Sequence, residues 1–449
     1  MADPHTEPGA APASARAPMQ AGEPGSAARP TQVHQGVVGF AVALAVLSYL
    51  DRVAIAQAAP LIARDLHLST IELGSVLGVY AFTYAIFEMP SGWLGDRIGA
   101  RRVLTRIVAW WSVFTVFTGL AWNYWSMWAL RLLFGAGEAG GFPNIAKAMA
   151  TWLPLEERVQ AQAWVWVGAR WGGAFTPLLV VALLRWMNWR WAFAAVGLVG
   201  VVWAGWFYVW YRDRPADHPG VNAEELALLP SLPPRHKAST TPWRAILRHP
   251  AVILLCVQYF CLSFAWFFYI TWLPTYLHDA FHLSLTRTAA YSVGPLFFNG
   301  LGSLFCAGVS RRWARRVGDL GRSRQWLAGA GLSLAAVFLA LSAFMPTVGA
   351  VVLMMALSCF FNDWAIPTCW AACMDVGGDY AGTVAGLMNT FGSLSGFIAT
   401  VLTGYFLHWT GGNWHLFVLI MAAMYVPAVL CWPFLNPVRS FRAGNAAGI

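Results

Sequence analysis

Charged side chains are what this sequence has least of: Asp, Glu, Lys and Arg make up 11% of its 449 residues, against about 25% in an ordinary soluble domain. That scarcity excludes a water-exposed globular surface over most of the chain. The short alternating segments that build a membrane β-barrel are missing too, and in lipid only helices then satisfy the backbone. The seven cysteines, Cys256, Cys261, Cys306, Cys359, Cys369, Cys373 and Cys431, lack the paired loop spacing of a metal site. They read as small packing residues, and no metal or cofactor is expected. No Ser-His pair, His-Glu-x-x-His run or paired aspartate stands at membrane depth, and no soluble catalytic module is attached, so an enzyme is not expected.

What is present is apolar sequence, 58% of the chain, arranged in runs of about 20 residues that each suffice to cross a hydrocarbon core of about 30 Å. Twelve such runs can be drawn, at 36–56, 72–94, 103–121, 125–150, 160–184, 190–211, 251–277, 289–309, 326–345, 348–373, 382–408 and 414–435. The pattern predicts an all-α membrane protein of twelve transmembrane helices in two pseudo-symmetric six-helix bundles, 36–211 and 251–435. Between them lies a polar linker, 212–250, in which residues 223–230 have the length of one short helix. Residues 1–35, rich in Ala, Pro and Gly, read as a disordered tail rather than a signal peptide, and 436–449 as a second tail.

The net charge of +9 raises the question of nucleic acid, but the position of the charge answers it. Lys and Arg concentrate in the two tails, the linker and the loops after the second and eighth helices, whereas the other side carries Arg64, Arg185, Arg190 and Arg287. By the positive-inside rule both termini are cytoplasmic. Basicity reports topology, no nucleic acid partner is expected, and the lipid bilayer is the surrounding medium. The 26 tryptophans read mostly as interfacial belts and packing, as Trp93, Trp122, Trp125, Trp128 and Trp189 near helix ends suggest.

After the second helix runs Gly92-Trp93-Leu94-Gly95-Asp96-Arg97-Ile98-Gly99-Ala100-Arg101-Arg102. Glycine permits a tight turn, Asp96 can accept from a neighbouring helix end, and Arg97, Arg101 and Arg102 can anchor to the inner surface, so the run is a candidate conformational latch. A fainter copy, Gly308-Val309-Ser310-Arg311-Arg312, follows the eighth helix without the Asp-Arg pair. The first run resembles the signature loop of the major facilitator superfamily. Over 36–435 the chain further resembles the anion:cation symporter family, through Tyr49-Leu50-Asp51-Arg52, through Arg131 to Ala139 with Phe142-Pro143, and through Gly382 to Gly396 with Asn389. That family includes transporters of galactonate, hexuronates, glucarate and sialic acid. The resemblance implies proton-coupled symport of an organic anion, with sugar acids the leading class, by a monomer in a bacterial inner membrane.

Eight ionisable residues remain at membrane depth: Asp51, Arg52, Glu88, Arg131, Glu138, Lys147, Arg170 and Asp363. Each costs about 2.5–3.5 kcal/mol if left alone at a helix centre, and the equal numbers of each sign imply pairing. Arg52 lies roughly 24 Å along the outward-running first helix, and Arg131 roughly 9 Å below the outer face on the inward-running fourth, which puts them at similar depth. Glu138, seven residues on from Arg131, shares its face about 10 Å deeper, and Asp51 points about 100° away from Arg52. The expectation is that Arg52 clamps a substrate carboxylate while Arg131 tunes Asp51 and Glu138 as they exchange protons, the roles the family resemblance also implies for these positions. Against it stands a static cluster that only joins the first and fourth helices. Glu88 and Lys147 are expected as a gate pair or packing bridge, and Arg170 and Asp363, the latter beside Asn362, as gate or substrate-contact residues. Tyr49, Tyr84, Gln258, Asn299 and Asn389 are candidate contacts for substrate hydroxyls, with Tyr259 beside them.

Three other functions compete. An organophosphate antiporter usually holds its phosphate with a second arginine from the seventh helix, and residues 251–277 contain neither Arg nor Lys. A multidrug antiporter carries a Gly-Pro then Gly-Gly order in its fifth helix, whereas Gly172-Gly173 here precedes Pro177. A sensor would need a signalling domain.

Overall fold

The computed structural model describes residues 29–230, 241–283 and 285–438. The expected tail up to residue 28, the middle of the linker and the last eleven positions lie outside the described residues. Among the described residues sixteen α-helices follow one another: α1 Val33–Asp65, α2 Thr70–Ile98, α3 Ala100–Thr118, α4 Tyr124–Glu138, α5 Gly141–Trp152, α6 Arg158–Trp186, α7 Trp189–Trp210, α8 Ala223–Leu228, α9 Trp243–Arg248, α10 Pro250–Thr271, α11 Leu273–Phe281, α12 Leu285–Val317, α13 Leu320–Ser342, α14 Val348–Gly377, α15 Ala381–Trp409 and α16 Trp414–Phe434. Among the described residues nine helical runs have the length and composition to cross a membrane, one of them covering both α14 and α15. The twelve-helix architecture includes spans that such a measure passes over. The third carries Arg101, Arg102 and Arg106, and the fourth is split.

Two spans are broken, which hydropathy did not reveal. The fourth is α4 and α5, separated where Ala139 turns extended and Gly140 adopts φ +86°. The seventh is α10 and α11, where Pro274 in the first turn of α11 has no N–H to continue the ladder. Elsewhere side chains close the helix ends: Ser69 with Glu72 and Asn123 with Ser126 form capping boxes, and Asn188, Asn222, Asp319 and Asn413 cap α7, α8, α13 and α16.

The outside of the bundle is apolar and its polar groups face inward, the inverse of a soluble protein. Phe82, Leu178, Trp186, Trp206 and Phe397 are exposed, while Asp51, Arg131, Glu138, Arg170 and Asp363 are buried. Trp122 and Trp125 are exposed as belt residues should be, but Trp189 is buried and donates to Asp65 at 3.2 Å. Small residues let helices approach. In α6, a Cβ on Gly172 would touch the α1 backbone at Val46 and one on Gly173 would lie 3.1 Å from the Tyr49 ring.

Among the described residues, hydrogen bonds and ion pairs between the two halves lie from mid-bundle to the end that bears the termini. Asp96 at the foot of α2 accepts from the backbone N–H groups of Gly382 (3.0 Å) and Thr383 (2.6 Å) and from the Thr383 hydroxyl (2.6 Å). It so caps the first turn of α15 and meets the positive end of its dipole. Lys147 bridges Asp96 at 3.3 Å and the Asp379 carbonyl at 2.5 Å. Asp375 at the end of α14 is clasped by Arg158 of α6 and Arg324 of α13, and Arg324 also donates to the Leu155 carbonyl at 2.8 Å.

The linker joins this end through α8. Buried Glu225 accepts from the His34 amide (2.9 Å), the His34 imidazole (2.6 Å), the Val33 amide (3.2 Å) and the Thr31 hydroxyl (2.5 Å). Residues 29–35 are therefore tied down where a disordered tail was expected. Glu157 accepts from Arg311 of α12 at 2.8 Å and lies 3.5 Å from the far nitrogen of His34. Burial pushes the Glu225 carboxyl up, but the Thr31, His34 and Val33 hydrogen bonds outweigh it and hold it below its ordinary value of 4.5. Glu157 is also held below 4.5, first by the His34 hydrogen bond, against burial and with help from Arg311.

A carboxylate depressed in the folded state contributes stability that is present above its unfolded pKa and lost as pH falls toward the folded one. The clasp is therefore expected to weaken below about pH 4.5. Thermal unfolding in detergent across pH 7 to 3 should show a steeper acid loss for the wild type than for Glu225→Gln, and equal slopes would contradict the clasp.

Candidate functional site

The site grows from one face of α1. Ser48 and Arg52, four residues apart, point the same way, and both reach Glu138 at the end of α4: the Ser48 hydroxyl donates to Glu138 Oε1 at 2.5 Å and Arg52 Nε at 2.8 Å. Glu138 is 1% exposed at its side chain and Arg52 23%, so the open side of the pair is the guanidinium. Arg52 Nη2 has no hydrogen bond among the described residues. Four rings surround this guanidinium, with Tyr84 at 4.5 Å, Tyr49 at 5.5 Å, Tyr80 at 5.7 Å and Phe142 at 5.9 Å from Arg52 Cζ. Their faces stabilise the cation without neutralising it.

The break between α4 and α5 sets Glu138 in place. Gly140 adopts a left-handed conformation, and a Cβ there would run into Ser91 of α2. Asn144, one turn further, donates to the Ser91 carbonyl at 3.0 Å and to the Gly140 carbonyl at 2.8 Å, which ties the start of α5 to α2.

Asp51 faces away from Arg52, toward α3, where Thr115 donates to it at 3.2 Å. Arg131 is buried at 3% exposure, but its guanidinium lies over Phe134 (4.3 Å) and Tyr80 (5.3 Å), and its Nε has no hydrogen bond among the described residues. Arg131 makes no hydrogen bond or ion pair with Asp51 or Glu138 among the described residues, so the expected tuning acts through space, and the Tyr80 ring lies beside both guanidiniums, at 5.3 Å from Arg131 and 5.7 Å from Arg52. Sequence reasoning missed Tyr80, although it lies one helical turn before Tyr84, and missed Ser48, one turn before Arg52.

A second charged pair joins the halves midway along α6 and α14. Arg170 Nε lies 3.3 Å from Asp363 Oδ2, and Arg170 Nη1 donates to the Tyr49 hydroxyl at 3.2 Å. Arg170 Cζ sits 3.8 Å from the Trp266 ring and 4.9 Å from Trp166. Ser303 donates to Asp363 at 2.9 Å and Asn362 at 3.3 Å, while Asn299, with its amide nitrogen turned inward, reaches Asp363 Oδ1 at 3.0 Å and the Cys359 carbonyl at 2.7 Å.

Three expectations change. Glu88 and Lys147 do not pair with one another: Glu88 accepts from Asn389 and from Ser393 (3.1 Å) of α15, and Lys147 reaches Asp96. Gln258 is fully buried, donates to the Leu255 carbonyl at 3.3 Å and accepts from the Cys369 thiol at 3.2 Å, so it packs α10 against α14. Asn299 holds Asp363. Tyr259 accepts from Trp370 at 3.1 Å within the same half. Of the loop arginines, Arg97 lies over Trp93 at 5.4 Å and Arg101 over Tyr208 at 4.4 Å, its amide donating to Asp213 at 2.9 Å, while exposed Arg102 makes no ion pair or hydrogen bond among the described residues. The Arg158, Asp375 and Arg324 clasp was missed because its members sit at span ends, where the basic ones read as loop charge. All seven cysteines are buried and free, and no group of three metal-ligating side chains occurs among the described residues.

The sequence model of the Major Facilitator Superfamily matches residues 41–400. The chain is similar to a probable sulfoacetate transporter of Cupriavidus necator, at 33% identity over 408 residues that cover 90% of this chain and 94% of that one. It is similar to a hexuronate transporter of Bacillus subtilis at 29% identity, covering 92% and 97%. Among solved structures, a proton:xylose symporter shares the fold with a TM-score of 0.71 at 14% identity, over 90% of this chain and 96% of that one.

Because Gly140 carries the break that positions Glu138, Gly140→Ala should cost about 1–2 kcal/mol from the left-handed backbone alone, with the Ser91 clash added. A lowered melting temperature in detergent together with weakened transport is the expected outcome. An unshifted melting curve would show that the break does not need glycine.

Proposed function

The chain belongs to the Major Facilitator Superfamily, and from that premise we propose that it is a secondary transporter that carries a small organic anion together with a proton by alternating access. The sulfoacetate and hexuronate relatives support an organic acid as substrate, with sugar acids the leading class. The termini, the linker and the Asp96 latch lie on the cytoplasmic side of a bacterial inner membrane. A single chain holds both halves of the site.

The Arg52 and Glu138 ion pair carries this reading. Removing one partner from a buried pair leaves an uncompensated charge at a cost of about 3–5 kcal/mol. A substrate carboxylate that takes over Arg52 therefore leaves Glu138 facing that cost unless Glu138 takes a proton. A proton arriving first frees Arg52 in turn. Anion and proton thus favour one another at the same site, which is the linkage a symporter requires. Asp51, buried on the other face of α1, is the second carboxylate placed to take part, and Arg131 keeps the pocket cationic from behind Tyr80. Tyr49, Tyr84 and Asn389 line the approach to Arg52 and to the seam between the halves.

The cross-half contacts at the termini end support an outward-open state with the cytoplasmic side latched. To open inward the halves must separate Asp96 from α15, Asp375 from Arg158 and Arg324 from the Leu155 carbonyl, and Glu88 must release Asn389 and Ser393. These contacts act as the gate.

Purified protein in liposomes under an inward proton gradient should accumulate a radiolabelled sugar acid. Arg52→Ala should abolish uptake, whereas Glu138→Gln should abolish accumulation but retain exchange of labelled for unlabelled substrate. Unchanged gradient-driven uptake in both variants would overturn the proposal.

A further inference from the structure

Arg170 has no part in the pair that binds the first carboxylate, yet it touches the same tyrosine. The Tyr49 ring faces Arg52 at 5.5 Å and its hydroxyl accepts from Arg170 at 3.2 Å, so one side chain separates two guanidiniums. We propose that Arg170 is a second anion anchor and that the site takes a short acid with an anionic group at each end, one held by Arg52 and the other by Arg170, with the Tyr49 ring between them. This inference rests on the reading of Arg52 as the first anchor.

Three observations carry it. First, Arg170 is loosely held. Its contacts with Asp363 and Tyr49, at 3.3 and 3.2 Å, are longer than the 2.8 Å between Arg52 and Glu138 and longer than the usual ~2.7–2.9 Å of a charge-assisted bond. They occupy two of the five N–H groups a guanidinium offers. Second, Arg170 is not the only donor to Asp363. Ser303 at 2.9 Å, Asn362 at 3.3 Å and Asn299 at 3.0 Å still solvate the carboxylate when the guanidinium turns toward a substrate. Third, the Trp266 and Trp166 faces also stabilise the Arg170 cation, so Asp363 is not its sole support. A neutral or singly charged ligand would leave this second cation with no role in binding.

The chemistry that fits is two separated acid groups on a short chain, such as a dicarboxylate or a sulfonate with a carboxylate. A phosphate monoester, with both charges on one centre, cannot meet both guanidiniums across a tyrosine ring. Arg170 is on the first half and Asp363 on the second, so a ligand that draws Arg170 away also loosens a tie between the halves.

The test compares two acids with the same six-carbon hydroxylated chain, glucarate with two carboxylates and gluconate with one, together with sulfoacetate and glycerol 3-phosphate. Each is used as a competitor of labelled glucarate uptake in proteoliposomes. Wild type is expected to prefer glucarate and sulfoacetate over gluconate by about tenfold or more, the scale of one charge-assisted hydrogen bond, and Arg170→Gln is expected to collapse that ratio toward one. If Arg170→Gln does not fold, the double variant Arg170→Gln with Asp363→Asn removes both charges, leaves none uncompensated, and should show the same collapse. Equal competition by glucarate and gluconate in wild type, preference for glycerol 3-phosphate, or an unchanged ratio in the variants would overturn the inference. Those results leave the proposed function standing as long as Arg52→Ala still abolishes uptake, whereas uptake that survives Arg52→Ala removes the first anchor and the proposed function with it.

Discussion

The ion pair between Arg52 and Glu138 is the constraint on which the rest of the structure depends. Two charges at mid-membrane persist only if each is matched, and the fold supplies the match with unusual local devices. A helix is interrupted at Ala139 and Gly140 so that Glu138 ends α4 at the right depth. Ser48 shares the carboxylate one turn below the arginine on α1, and four aromatic rings line the open side of the guanidinium. Among the described residues Arg52 Nη2 has no hydrogen bond, so the cation keeps a donor for an incoming anion.

The second pair, Arg170 with Asp363, stands to the halves as the first stands to the α1 and α4 contact. It lies across the interface and connects to the first through Tyr49. Below it the contacts become a closed end: Glu88 with Asn389 and Ser393, then Asp96 with the start of α15, then Asp375 between two arginines. These contacts follow one another along the seam between the halves, from mid-bundle to the latch. Each contact sets a charged side chain against a charge, a helix end or a neutral donor, the kind of contact that can be made or broken in a rocking transition.

The sequence made the fold legible because lipid removes alternatives: runs of apolar residues must be helices, and basic loops mark one side. The breaks were hidden because hydropathy is blind to a glycine at positive φ. Within a helix, spacing was informative. Asp51 and Arg52 do part to different neighbours, and the Asp96 carboxylate does meet a helix end, in the other half. Between helices spacing says little, since periodicity on α2 or α5 cannot reveal what α15 presents, and so Glu88 and Lys147 were matched with each other and not with Asn389 and Asp96. Gln258 and Asn299 were misread for a related reason: helices apolar on every face give no stripe by which to tell the interior of one half from the surface between the two.

The central claim is that anion and proton meet at Arg52 and Glu138. It is tested most directly by adding substrate to the detergent-solubilised protein in weakly buffered solution and recording the proton taken up. The expected result is uptake of protons on binding in the wild type and none in Glu138→Gln, which still binds. Binding without proton uptake in the wild type, or equal uptake in both proteins, would contradict it.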